Sequence, residues 1–346
     1  MACQGVADME PAVETQKSVD TEEMDGAIEV SSAVVDAPDT KPVPAGTTKP
    51  VPGKSIYARV FDEISQTSST RTPLLQRLGD AFNGRSVVAY YTSFNHDVEI
   101  NDPDVAMMED VLIGTDASKG LTLIVCSPGG SALAAERLVN VCRQYSNDDF
   151  EVIIPKQAKS AATLVSFGSN KIYMSRTSEL GPVDPQIFQK TVDGYRFVPA
   201  DLIIGSYRKL MKEAIACKGN ADPYLQQLTV YDPRTIAQIE RDQKLGKDIA
   251  VSVLQKKMLK GKSKTEILRK IRPFTDAGIT GSHGRPIFID TARACDLKVE
   301  EIDINSTLWT LIMELHVRAE MAVSRDYCKL IESVDHQFAV PAPRSM

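Results

Sequence analysis

Two short stretches carry residue types that suit chemistry on a carbonyl group. In Ser127-Pro128-Gly129-Gly130 a continuous apolar run, Leu121 to Cys126, breaks into paired glycines before a helical pattern begins. Glycines there bring bare backbone N–H groups to the C-terminal edge of a sheet, where they suit negative charge developing on a substrate oxygen. A tight strand-to-helix turn with no ligand accounts for the same residues. In Lys159-Ser160-Ala161-Ala162-Thr163 a hydroxyl stands at the start of a small-residue helix, after the strand Val152-Ile153-Ile154 and a proline-containing loop. Ser160 is a candidate nucleophile, and a helix-capping serine is the alternative. One helix and one strand separate the two stretches, so both emerge on the same edge of the sheet, the arrangement acyl transfer needs.

The elements that must hold them follow from the hydrophobic pattern. Ser86 to Tyr91, Leu121 to Cys126, Val152 to Ile154 and Ile172 to Met174 read as strands, separated by helical patterns such as Asp104 to Ile113. This alternation predicts an α/β core with buried parallel strands. Beyond residue 195 the pattern is mainly helical, with helices expected over Ala200 to Ala216, Pro233 to Lys260, Lys264 to Ile271, from Asp290, and over Thr307 to Ala322. The first 54 residues lack a sustained period and repeat Thr-Lys-Pro-Val-Pro at Thr40 and Thr48, which reads as a disordered spacer. The expected organisation is a tail over 1–54, a helical lead-in over 55–85, the main domain over 86–303, and a C-terminal helix and tail over 304–346.

Composition narrows the function. Lys and Arg total 40 against 46 Asp and Glu, a net charge of −6 with no basic block, which argues against a nucleic-acid partner. Six cysteines lack CxxC spacing, so free thiols in a reducing, cytoplasmic setting are expected. No apolar run is long enough for a membrane span and no secretory signal pattern is present. With four histidines and no HExxH motif, no metal site or cofactor is expected.

These motifs, together with Glu179-Leu180-Gly181-Pro182-Val183-Asp184-Pro185-Gln186 and His283-Gly284-Arg285-Pro286-Ile287, resemble the serine dehydrogenase proteinase family. That family is similar in turn to signal peptide peptidase A and the Clp protease proteolytic subunit. The resemblance runs from about residue 70 to 300. It implies a crotonase-like (ClpP-like) core of repeated β-β-α units with helical C-terminal additions, a serine peptidase site acting on a peptide or protein substrate, and a homo-oligomer. Carried over by position, it implies Ser160 as nucleophile and the N–H groups of Gly130 and Ala161 as oxyanion hole. Ala162 stands where the family commonly has glycine, and no histidine occupies the Clp-like position in Gly181-Pro182-Val183-Asp184.

A serine needs a base. The membrane-associated relatives use a lysine, and the matching helix after Pro199 offers Lys209, the favoured candidate, and Lys212. Bringing a lysine from ~10.4 to about 7 costs roughly 4–5 kcal/mol of differential solvation, so only a desolvated one qualifies. His283 competes, since an imidazole titrates near ~6.5 unaided; it equally fits a loop-ordering role. Asp184 could orient either base or close the turn before Pro185. His96, His316 and His336 receive no role. Two rival functions remain: a non-catalytic peptide-binding scaffold of the same fold, and a crotonase-type acyl-CoA enzyme.

Overall fold

The computed structural model describes residues 55–61, 67–191, 194–280, 282 and 284–343. The tail read over 1–54 and the candidate base His283 lie outside the described residues. Helices α1 (Ile56–Phe61) and α2 (Ser68–Ala81) precede β1 (Ser86–Thr92). Helix α3 (Asp102–Ile113) returns the chain to β2 (Leu121–Cys126), and α4 (Ala132–Tyr145) to β3 (Phe150–Ile154). The short β4 (Gln157–Ala158) and α5 (Ala161–Phe167) lead to β5 (Ile172–Met174) and β6 (Glu179–Leu180). A hairpin of β7 (Gln186–Thr191) and β8 (Gly194–Pro199) precedes α6 (Ala200–Ala216), α7 (Asp222–Leu228) and α8 (Pro233–Lys256). Four short helices follow, α9 (Lys264–Lys270), α10 (Arg272–Thr275), α11 (Ala277–Thr280) and α12 (Ile289–Ala294). The chain then forms β9 (Val299–Glu301), α13 (Thr307–Arg325), β10 (Tyr327–Glu332) and β11 (Gln337–Pro341).

Seven strands make one sheet in the order β11-β10-β1-β2-β3-β5-β9, parallel from β1 to β9. Every residue of β2 is buried, as expected of a strand covered on both faces. Residues of α3, α4, α5 and α8 pack on one face, those of α2 and α13 on the other. Beyond the C-terminal ends of the long strands runs a second, short layer: Ile100 bridges Gly130, Ser127 bridges Ala158, β4 pairs with β6, and Leu180 bridges Ile287. Long strand, short second-layer segment and helix recur in this order, which is the β-β-α repeat that the family resemblance implies. The second layer matters for function because both chemistry-bearing turns are built into it.

The stretch after α13, read as a tail, instead extends the main sheet. β10 runs antiparallel to β1, pairing Ala89 with Glu332 and Tyr91 with Leu330. Two buried ion pairs fix it. The Arg71 guanidinium donates twice to Glu332, from Nε at 2.5 Å and Nη2 at 2.9 Å, with both side chains nearly inaccessible. Lys329 Nζ donates to both Asp104 oxygens at 2.8 and 2.9 Å, and Tyr90 OH donates to Asp104 at 2.7 Å. A strand that buries Lys329 and Glu332 shows no apolar run, so its sequence hides it. The 186–199 hairpin and α7 were also absent from the sequence reading, and α6 matches its expected bounds.

On the α13 face His316 is fully buried and stacks on Tyr91, ring centroids 5.8 Å apart. Burial pushes its imidazole down to about 4, against the opposing pull of the Glu320 carboxylate 3.6 Å away; Lys156 pushes it further down. Below its unfolded value of ~6.5 the unfolded chain takes the proton first, so stability falls as pH drops from ~6.5 to about 4.

Two outcomes follow from these buried charges. Glu332→Ala removes the carboxylate paired with the buried Arg71 guanidinium and lowers the unfolding free energy by about 3–5 kcal/mol in urea titrations, whereas Arg71→Met with Glu332→Leu restores most of it. For His316→Phe, the difference in unfolding free energy from wild type changes by roughly 3 kcal/mol between pH 7 and pH 4, wild type losing the more. A pH-independent difference contradicts the assignment.

Candidate active site

Ser160 joins the second layer to α5 with φ 48° and ψ −115°. A side chain in this region is strained by about 1–3 kcal/mol unless the surroundings over-determine it. They do so here. All seven residues of α5 are buried, and the small Ala161 and Ala162 let the helix sit deep in the core. The Ala162 N–H donates to Lys159 O at 2.9 Å. Thr163 Oγ1 lies 2.8 Å from Ala158 O and 2.9 Å from Gly181 O, sharing its proton between them, and accepts from the Gly181 N–H at 3.1 Å. The Ser160 side chain makes no capping bond to α5. Its hydroxyl therefore does not play the helix-cap part that the sequence left open.

The glycine turn lies directly against this serine. Gly129 has φ +109°, and a Cβ built there would fall 2.6 Å from Ser160 Cβ and 2.7 Å from Lys159 O, so only glycine permits the approach. Gly130, at φ +146°, packs its Cα on the Ile100 backbone too closely for any side chain. The loop is pinned by Ile100 N–H to Gly129 O at 2.7 Å, Ser131 N–H to Ile100 O at 2.8 Å, and Gly129 N–H to Ser127 Oγ at 3.1 Å. Among the described residues the N–H groups of Gly130 and Ala161 have no acceptor. Ala161 opens a helix, and its N–H, unlike those of Ala162 and Thr163, which donate to Lys159 O and Ser160 O, is left for a ligand.

The Glu179-Leu180-Gly181 string props the same turn. Lys159 Nζ sits 2.6 Å from Glu179 Oε1, both side chains largely covered, and a Cβ on Gly181 would meet Lys159 Cδ at 2.5 Å. Gly181 thus leaves room for the Lys159 stem while its carbonyl and N–H engage Thr163. The motifs contain Lys159, Thr163 and Glu179, but the sequence does not reveal the link between them because it spans two turns. The separation of Lys159 and Glu179 gives no local signal.

The candidate bases lie in a different setting. Lys209 projects from α6 with its side chain 74% exposed and its ammonium 3.9 Å from Glu213, an i,i+4 pair on the helix surface. Lys212 on the same helix is also exposed. Neither has, within this chain, the desolvation that a lysine base requires. Asp184 is buried, lining a narrow crevice with Val183, Lys247 and Thr275. Among the described residues no group of three or more His, Cys, Asp or Glu side chains is arranged to hold a metal ion. No described helix is long and apolar enough to cross a membrane.

A strained serine at a helix start, backed by a glycine turn in a β-β-α core, defines a ClpP-like framework. Residues 98–330 match the family of ClpP-like SDH-type serine proteinases, and the chain belongs to that family. Two proteins of Methanocaldococcus jannaschii are similar to it. Uncharacterized protein MJ0137 is 29% identical over 200 residues, 57% of this chain and 59% of its own length. Uncharacterized protein MJ1495 is 34% identical over 89 residues, 26% of this chain and 28% of its own. The chain therefore spans less than two thirds of either. Among solved structures, a serine-to-alanine mutant of the 1510-N membrane-bound stomatin-specific protease matches with 16% identity and a TM-score of 0.26, covering 59% of this chain and 93% of that one. A lysine-to-alanine mutant of the same protease, in complex with a substrate peptide, matches with 18% identity and a TM-score of 0.25, covering 64% and 93%.

Replacing Ser160 by glycine releases the backbone strain. Allowing for the greater freedom glycine has in the unfolded chain, Ser160→Gly gains about 1 kcal/mol of stability in denaturant titration. A loss of stability contradicts the strained assignment.

Proposed function

We propose that the chain is a serine peptidase of the Clp and signal-peptide-peptidase-A-like class, which hydrolyses peptide bonds through an acyl-enzyme on Ser160. The observation that carries this reading is Ser160 itself, held at positive φ beside Gly129 with its hydroxyl unused by the helix it precedes. Ser160 Oγ attacks the peptide carbonyl as a base removes its proton. The carbonyl oxygen becomes an oxyanion and receives the N–H groups of Gly130 and Ala161; removing one such donor typically costs 10²–10³ in rate. The base returns the proton to the leaving amine, and water then releases the acyl group.

Lys209 is proposed as the base, with His283 and Lys212 as the other candidates. The exposed position of Lys209 makes its use conditional on cover from a bound substrate or a second subunit, which accords with the expected homo-oligomer. A cytoplasmic setting is proposed as well. Its support is that the five described cysteines are free, with burial pushing the thiols of Cys126 and Cys142 up to about 12, beyond easy oxidation.

The exposed lysines favour one second reading, a peptide-binding scaffold that keeps the fold. The two are separated by incubating wild type and Ser160→Ala with a fluorophosphonate probe and a quenched-fluorescent peptide pool. A peptidase gives labelling and cleavage that both vanish in Ser160→Ala, a loss of at least about 10³-fold. Folded wild type that neither labels nor cleaves supports the scaffold.

A further inference from the structure

An open cavity of about 560 Å³ lies between α6, α8, α9 and α10, within the size range of small-molecule sites. Its lining is unusual for a chain of net charge −6: four cations, Arg208, Lys247, Arg269 and Arg272, face two carboxylates, Asp201 and Asp276. Both carboxylates are already served by the protein. Asp276 accepts from Arg272 at 2.9 Å and from the Gly278 N–H at 3.0 Å, and Asp201 accepts from Gln243. Arg208 is paired too, with Glu240 at 2.6 Å. Lys247 and Arg269 remain, and among the described residues no carboxylate lies within 4.0 Å of either.

Lys247 and Arg269 feel the carboxylates of Asp276 and Glu266 only at longer range, and two such cations at one concave site, with Ile204 and Leu268 supplying apolar wall, raise the local potential for an anion. Lysine supplies a point charge and arginine a planar fork of donors, a combination suited to the oxygens of phosphate or carboxylate. The cavity also has a direction. The narrow crevice that shares Asp201, Lys247 and Thr275 with it reaches Val183 and Asp184, just past the Gly181 that packs on Lys159.

We propose that this cleft is a binding subsite for a small oxyanion group, phosphate or carboxylate, held by Lys247 and Arg269. The group comes either from a free anionic ligand or from an acidic side chain of a bound peptide. Because binding alone reads it, the assignment is independent of whether Ser160 is a working nucleophile.

Calorimetric titration of the full chain with sodium pyrophosphate tests it, against sodium chloride of matched ionic strength. The expected result is saturable one-site binding, weakened at least tenfold in Lys247→Met with Arg269→Gln and unchanged in Lys298→Met, an exposed lysine outside the cleft. The single variant Lys247→Arg, which keeps the charge, retains binding and guards against a folding defect in the double variant. Displacement of pyrophosphate by a hexaglutamate peptide, and not by hexaglutamine, assigns the subsite to acidic peptide side chains; retained pyrophosphate assigns it to a free ligand. No saturable binding beyond chloride, or equal affinity in the folded double variant, overturns the proposal.

Discussion

The site depends on one close approach, that of the Gly129 backbone to Ser160. Two turns from successive β-β-α units meet there with no room for a Cβ on the glycine, while the serine accepts a backbone conformation that L-residues avoid. Strain of this kind persists only where the flanking structure cannot relax. Here the flanks are a fully buried helix, the Thr163 hydroxyl stapled to two carbonyls, and the Lys159–Glu179 pair beneath the turn. The same geometry faces two consequences. The hydroxyl does not fold back to cap α5, and among the described residues the Ala161 N–H at a helix start and the Gly130 N–H at a pinned loop have no acceptor. In this sense the proposed nucleophile and the proposed oxyanion donors come from one packing event.

The wider architecture serves that event from a distance. The parallel strands are buried on both faces, so their C-terminal ends are fixed points from which the second layer departs. Arg71–Glu332 and Lys329–Asp104 tie β10, which lies between β11 and β1, to helices α2 and α3. Breaking such a pair strands a charge in the interior, which makes these edge strands integral to the core and not an appendage.

The parts of this arrangement that could be read from sequence are those whose physics is local. Five apolar residues among the six from Leu121 to Cys126 read as a covered strand, and paired glycines after such a strand signal a backbone turn near a ligand edge. Small residues after Ser160 signal a helix that packs closely. What escaped is non-local. Lys329 and Glu332 look like surface residues until Asp104 and Arg71 arrive from elsewhere in the chain. Glu179 and Gly181 stood out as a motif, yet their work, holding Lys159 in place, exists only in three dimensions. The base is the hardest part for the same reason: a lysine's fitness depends on desolvation, and the sequence around Lys209 says nothing about what covers it. The structure leaves Lys209 in solvent within this chain, so the proposed oxyanion donors have a support in geometry that the proposed base does not share.

The most direct measurement of the central claim is a crystal structure of the protein after reaction with a fluorophosphonate. The account predicts a phosphonyl group on Ser160 Oγ, with one of its oxygens about 3 Å from the nitrogens of both Gly130 and Ala161. Folded protein with Ser160 unmodified, or an adduct whose oxygens bond to neither N–H, contradicts it.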